Sequence, residues 1–388
     1  MTGRWTWCDI DDGALRANVQ SLRRALAPAT RLGIVVKSDA YGHGLSDSAA
    51  TFVAAGADWL IVHTPTEAEA LRDAGLQVPI LVCGPTQAEQ ADGVAAAQAR
   101  VVVFDREVIR ALGEAGRRAG SPVRLHLKVE TGTHRQGVGI DAVVAMAQFI
   151  RATEGVQLEG ACTHFADVED GEDHAFARHQ LAGLDRARDL LRGAGIQPEL
   201  WHAASSAAMV VLPESRADLV RVGIAAYGMW PSASIGHLAT TAMPALSLQP
   251  ALAWRARVAQ VKEMEPGGSV GYGRTWRARG SQVRRLAILP VGYHEGFPRS
   301  RSNAGHVLLR GRPAPVRGRV CMNLLMVDVT EIEITTGAPV QAGEVATLLG
   351  ADGEACIRAD QFADWAATIQ YEIVARIHPS VPRLRHDS

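Results

Sequence analysis

Residues 33–44 read GIVVKSDAYGHG. An apolar run stops on Lys37 and breaks into a polar, glycine-bearing turn that carries Tyr41 and His43. A continuous apolar run is what a strand covered on both faces looks like, as in a parallel sheet with helical crossovers. Seven more such runs follow: DWLIVHT, VPILVCG, ARVVVFD, VRLHLKVETG, LEGACTHF, ELWHAASS and DLVRVGIA. Stretches with helical periodicity, such as DAVVAMAQFIRATEG, lie between most of them. Eight βα units in about 230 residues match the count and length of a (β/α)8 barrel. A doubly wound open sheet is the rival arrangement.

From about residue 240 the texture changes. ALAWRARVAQVKEM, RLAILPVGY, HVLLRGRPAPVRGRVCMNLLMVDVT and GEVATLLG are short runs separated by Gly and Pro, the pattern of a mostly antiparallel β domain. One helical stretch, ADQFADWAATIQYEIVARI, sits near the end. The expected α/β organisation is therefore a barrel at 1–245 and a C-terminal, mostly antiparallel β domain at 246–388.

Composition narrows the function. The chain has 388 residues, 47% hydrophobic and 21% charged, with a net charge of −1. That balance carries no electrostatic footprint for nucleic acid or an anionic membrane. No apolar run approaches the roughly 20 residues needed to span a bilayer, and the opening MTGRWTWCDIDD has no apolar signal core. Five widely spread cysteines fit a reducing compartment better than a disulfide framework. Without CxxC or HExxH spacing, no metal site is expected. The reading is a cytoplasmic protein with neither nucleic acid nor membrane as partner.

A barrel gathers its chemistry at the C-terminal ends of its strands. Lys37 ends the first run, Arg135 follows HLKVETG, and His164 ends ACTHF. Ser205 and Ser206 follow WHAA, and Arg221 ends DLVR. Each has an ordinary alternative: a solvated lysine, a structural histidine, a serine capping a helix. Convergence on one pocket is what favours chemistry. A desolvated lysine can attach covalently to an aldehyde. The backbone N–H groups of Gly223 and Ile224 and the Ser206 hydroxyl, in RVGIAAYG and ASSAAM, suit a phosphate. The combination points to pyridoxal 5′-phosphate.

With KVETGTHRQGV, CTHFAD, GYGRTW, LPVGYHEG and GRVCMN added to VVKSDAYGHG, the chain resembles the alanine racemases, fold-type III pyridoxal phosphate enzymes. These blocks run from the first strand nearly to the C-terminus, in the family's order and spacing. The resemblance implies a barrel, a β domain that also takes in roughly the first ten residues, and a head-to-tail homodimer acting on alanine. It implies that Lys37 anchors the cofactor and is the base on the D-face. Tyr272 matches the L-face base, donated by the partner subunit. Tyr41, Ser206, Gly223 and Ile224 match phosphate contacts, and Arg221, with His164 beside it, matches the residue facing the pyridine nitrogen. Arg135 and Met322 match contacts to the substrate carboxylate. Lys128 matches a lysine that is carbamylated in many members, and Tyr293 and Arg299 match the mouth of the access channel.

Three positions depart from the family pattern. Pro379 stands where many members have a tyrosine, which leaves room in the pocket. Asn323 replaces the acid of CMD, so an ionic contact there would be lost. THRQG replaces the more common MGRLG but keeps Arg135. Rival functions are a racemase of serine or of a broader range of amino acids, a fold III decarboxylase, and a non-catalytic pyridoxal phosphate carrier. Arg221 disfavours the decarboxylase, and the β domain with GYGRTW disfavours the carrier.

Overall fold

The structure is a computed structural model and describes residues 3–169 and 173–388. The chain forms two compact units. One joins Ala14–Ala40 to Leu45–Gln249; the other joins the N-terminal segment through Gly13, Tyr41–Gly44 and Pro250–Ser388.

The first strand, β1 (Thr6–Asp11), belongs to the second unit. The first unit holds β2 (Arg31–Val35), β3 (Trp59–Val62), β4 (Ile80–Val82) and β5 (Arg100–Val103). It continues with β6 (Val123–Lys128), β7 (Val156–Cys162), β8 (Leu200–His202) and β9 (Leu219–Val222). From β2 to β8 each strand pairs in parallel with the next in sequence, and β9 pairs in parallel with β2. Main-chain bonds from Asp218 N to Trp201 O (3.1 Å) and from Arg221 N to Ala204 O (3.0 Å) draw β8 and β9 together. This nearly closed barrel is the one expected from the eight apolar runs. Its strands are buried almost throughout because helices cover their outer faces. Helix Arg106–Ala119 is typical: Asp105 caps it by accepting from Glu107 and Val108 N–H, and Ile109, Leu112 and Ala115 bury one face.

The second unit contains β10 (Leu252–Arg257), β11 (Gln260–Met264), β12 (Ser269–Val270), β13 (Trp276–Arg277), β14 (Arg284–Leu289) and β15 (His306–Leu309). It ends with β16 (Arg312–Pro315), β17 (Leu325–Asp328), β18 (Val345–Asp352), β19 (Ala355–Ile357) and β20 (Arg383–His386). Its main sheet runs β16-β15-β18-β10-β1-β20, with β19 added on β18. Only the β1–β20 pair in it is parallel. A three-stranded sheet, β11-β14-β17, and the short β12–β13 ribbon complete the unit.

One local expectation changes here, and one further helix joins the unit. ADQFADWAATIQYEIVARI is two helices, Ala359–Ala366 and Gln370–Ala375. Ala367 takes a left-handed conformation (φ 56°), and Thr368 N–H turns back to Ala363 O, which ends the first helix. The β-branched stretch Thr330–Thr336 is helical. Asp328 accepts from both the N–H and the hydroxyl of Thr330 and starts it, overriding the strand propensity of its side chains.

Candidate active site

Lys37 follows β2 at the C-terminal end of the barrel, half-buried. The next four residues, Ser38, Asp39, Ala40 and Tyr41, all have φ between 52° and 56°, a turn of left-handed helix. Left-handed L-residues cost about 1–2 kcal/mol each, so the turn must be held. Ala40 N–H reaches Val36 O at 2.9 Å, Ser38 N–H reaches Glu67 Oε1 at 2.7 Å, and Leu45 N–H reaches Asp39 Oδ1 at 2.9 Å. Glu67 itself closes the capping box of helix Pro65–Asp73 with Thr64. Strain of this kind collects at functional positions, and here it follows the candidate cofactor lysine directly.

Arg221 on β9 is the centre of a polar network inside the barrel. Its NH1 donates to His202 Nδ1 (2.6 Å), and its NH2 donates to Thr163 O and Ala203 O (2.9 Å each), with His164 Nδ1 at 3.4 Å. Guanidinium nitrogens only donate, so His202 must accept at Nδ1 and carry its proton on Nε2. That nitrogen lies 2.7 Å from His126 Nδ1, and His126 Nε2 lies 3.0 Å from Glu159 Oε2. The tautomers are thereby set along the whole chain: Arg221 to His202 to His126 to Glu159. Burial first, and then the Arg221 charge, holds His202 well below the usual imidazole range, and burial lowers His126 too. Both rings are neutral dipoles. Burial works against ionised Glu159, but the His126 hydrogen bond and the charges of Arg100 and Arg124 keep it below the usual carboxylate range.

The strand geometry explains why these rings meet. His126 and Lys128 are two apart on β6 and share a face. The β6–β7 register shifts at Leu125/His126, which sets Gly160 opposite His126. A Cβ on Gly160 would lie 2.5 Å from His126 Nδ1, so only glycine admits the ring.

Lys128, buried and in register with Cys162 of β7, is pushed down to about 8 by burial, with Arg221 and Arg135 adding to the shift. Arg135 is exposed, on a loop pinned by Glu130, whose carboxylate accepts from Gly132, Thr133 and Arg135 N–H. The loops after β6 and β7 are tied by Thr131–Thr163 (2.6 Å) and by Thr133 Oγ1 to His164 O (2.6 Å). His164 is held well below its usual range by burial and then by the charges of Arg221, Lys128, Arg135 and Lys37. Arg221 NH2, 3.4 Å from Nδ1, is the cation set directly against the His164 ring. Beside them, Ser206 Oγ accepts from Gly223 N–H at 2.9 Å. That bond uses the Gly223 donor and leaves the serine hydroxyl hydrogen, with Ile224 N–H at the start of the 3-10 turn Ile224–Tyr227, to meet an anion.

In the β unit, Tyr272 sits on the turn between β12 and β13, where Gly271, Gly273 and Arg274 all have positive φ. Its side chain is 71% exposed. Asn303 braces that turn, donating to Thr275 Oγ1 (3.1 Å) and accepting from Gly318 N–H (2.6 Å). Met322 and Tyr293 are exposed, and their main chains are bonded: Tyr293 N–H to Cys321 O (3.1 Å), His294 N–H to Met322 O (2.9 Å). Arg299 is exposed on the turn Arg299–Arg301. Tyr41 is buried in this unit, its ring 6.2 Å from that of Tyr371. His43 is also buried, with Nδ1 2.9 Å from Tyr41 O, which fits a structural part. Pro379 is exposed.

The geometry thus brings Lys37, Lys128, Arg135, His164, Ser206, Arg221, Gly223 and Ile224 to one end of the barrel, and Tyr272, Tyr293, Arg299 and Met322 to the β unit. Sequence reasoning missed His126, His202 and Glu159. Their one signal was polar residues inside apolar runs, HLK, LWH and LEG.

Known proteins share this two-part fold. Residues 10–231 match the alanine racemase N-terminal domain, and residues 251–385 match the alanine racemase C-terminal domain. The chain is 40% identical over 380 residues to the alanine racemase of Symbiobacterium thermophilum, covering 98% of this chain and 97% of that one. It is 36% identical over 381 residues to the alanine racemase of Desulfovibrio desulfuricans, covering 98% of each. Among solved structures, the alanine racemase of Streptomyces lavendulae superposes with a TM-score of 0.92 at 35% identity, covering 100% of this chain and 98% of that one. Both domains are matched and the whole length is covered: the chain belongs to the alanine racemase family.

Proposed function

We propose that this enzyme interconverts L- and D-alanine with pyridoxal 5′-phosphate, using one base on each face of the substrate. The observation that carries the reading is the donor set at the C-terminal end of the barrel: Arg221, fixed by His202, Thr163 O and Ala203 O and 3.4 Å from His164, with the Ser206 hydroxyl and the Ile224 N–H beside it. Such a pocket suits an anionic, phosphorylated ring. Donors are in place for it: the Ser206 hydroxyl hydrogen and Ile224 N–H for a phosphate, and the Arg221 N–H groups not given to His202, Thr163 and Ala203 for the ring nitrogen. Pyridoxal phosphate, when bound, supplies the aldehyde and electron-withdrawing ring that acidify the substrate α-carbon.

In this reading Lys37 anchors the cofactor and, released by substrate, takes or returns the α-proton on the D-face through Nζ. Tyr272 of the partner subunit does the same on the L-face through its phenolic oxygen. A tyrosine needs a cationic or hydrogen-bonding neighbour to act as a base near neutral pH, and His164, backed by Arg221, is the candidate. Arg221 does not give up its proton, so a pyridine nitrogen held against it would stay unprotonated, which would favour simple proton return over side reactions. Arg135 and Met322 bound the substrate carboxylate, Lys128 supports Arg135, Tyr41 contacts the phosphate, and Tyr293 and Arg299 line the access route. The high exposure of Tyr272 and Met322 supports a homodimer in which another chain covers them. Five free cysteines support a reducing, cytoplasmic setting.

Tyr272→Phe tests the reading. The holoenzyme should keep its cofactor absorbance while turnover in both directions falls about a thousandfold; near-normal turnover would sink the two-base assignment. Proline at 379 favours a roomier pocket, and comparing L-alanine with L-serine turnover decides between alanine and a broader range.

A further inference from the structure

The segment that carries Met322 is fastened to the turn that carries Tyr293, and one fastening uses the side chain at 323. Glu295 is half-buried, and its carboxylate accepts from Gly292 N–H at 2.8 Å and from Asn323 Nδ2 at 2.7 Å. Its main-chain oxygen accepts from His378 N–H at 3.1 Å. One residue therefore joins three segments: 291–297, 320–324 and the approach to Pro379. No cation pairs with Glu295 among the described residues, so its carboxylate depends on these two neutral donors.

An aspartate at 323 would bring a second carboxylate to hydrogen-bonding distance of the first. Two like charges that close cannot both stay ionised without moving apart. Asn323 donates a proton instead, and it keeps a fixed negative charge off the segment that flanks Met322.

We propose that Glu295 is a positioning residue: paired with Asn323, it sets the Met322 segment against the substrate carboxylate, and the pair works only as one acid and one amide. The proposal rests on the reading above that Met322 bounds the carboxylate of the amino acid. It gives the amide at 323 a physical reason, since Glu295 already supplies the acid of the pair.

The test is steady-state racemisation of L-alanine by holoenzyme carrying N323D, E295Q, N323D with E295Q, or M322A. N323D should raise KM about tenfold with kcat within about twofold. E295Q alone puts two amides in the clasp and should raise KM as well, by less than N323D, because no like charges then meet. The double variant restores one acid and one amide with the parts exchanged: the new amide at 295 donates to the new carboxylate at 323 and still accepts from Gly292 N–H. Its KM should return to within about twofold of the parent. Cofactor absorbance should be the same throughout. An unchanged KM in N323D, or a double variant as poor as N323D, overturns the clasp. M322A separates the two readings: if it raises KM while N323D does not, the clasp falls and the Met322 assignment stands; if neither moves KM, both fall.

Discussion

The barrel end and the β unit hold their candidate residues in opposite ways. In the barrel the side chains are buried and bonded to one another, with Arg221 fixed by His202, Thr163 O and Ala203 O. In the β unit the side chains of Tyr272, Tyr293 and Met322 are exposed; what is fixed is the main chain of Tyr293 and Met322 and the turn around Tyr272. Side-chain networks set protonation states, because each donor dictates the tautomer of the next ring. Main-chain lacing sets position and leaves the side chain free for whatever comes to cover it. The barrel half should therefore fail by changes of charge, and the β half by changes of backbone.

The largest expected effect is in the barrel. Arg221→Leu would orphan two buried carbonyls and His202 Nδ1, and should lower stability by about 3–5 kcal/mol in urea unfolding. Racemisation should fall at least about a thousandfold. A variant that folds and turns over normally would break the contrast, since the network would then be scaffold alone. Next is the β half. A Cβ on Gly292 would lie 2.2 Å from Cys321 O and 2.5 Å from Met322 O. Gly292→Ala should cost about 3 kcal/mol and raise KM while cofactor absorbance holds.

Lys128 gives a pH test of the barrel. Its folded pKa of about 8 lies below the ordinary lysine value of 10.5, so the unfolded chain binds the extra proton between those values. The penalty of the buried charge is therefore full below pH 8 and gone above pH 10.5. In carbonate-free buffer Lys128→Met should stabilise the protein by about 2 kcal/mol below that window, with the gain shrinking as pH rises through it. A pH-independent difference between the melting curves would contradict a buried, uncompensated ammonium. The same low value leaves part of the amine neutral near pH 8, the form that reacts with carbon dioxide. The smallest effect belongs to the far end of the relay. Glu159→Gln keeps an acceptor for His126 but removes the charge facing Arg100 and Arg124, and should cost about 1 kcal/mol. A fall in kcat of less than about tenfold would show that the charge at Glu159 is felt at Arg221; no change at all would confine the relay to holding tautomers.

Much of this molecule was legible in its sequence, for a physical reason. Strands covered on both faces have no polar side to show, so β2 through β9 appear as unbroken apolar runs, and the crossover helices appear through their period. Strand ends mark the barrel's reactive face, so Lys37, His164, Ser206 and Arg221 stood out once the barrel was read. Thr330–Thr336 and the break at Ala367 were not legible, because one aspartate bonded to Thr330 and one left-handed residue outweighed local propensity there.

The sequence by itself determined the barrel, the change to β structure after it, and the family to which the chain is related, since these rest on hydrophobic period and on motif order. Only the tertiary structure decided how the polar groups inside are paired. The left-handed turn after Lys37 depends on Glu67, a residue 29 positions from Ser38. The protonation of His126 and His202 depends on Arg221, which donates from another strand. The hold on Met322 depends on Glu295 meeting Asn323, 28 positions apart. A hydrogen bond is made by atoms brought within about 3 Å, and nothing in the order of residues along a chain states which distant pairs will be that close.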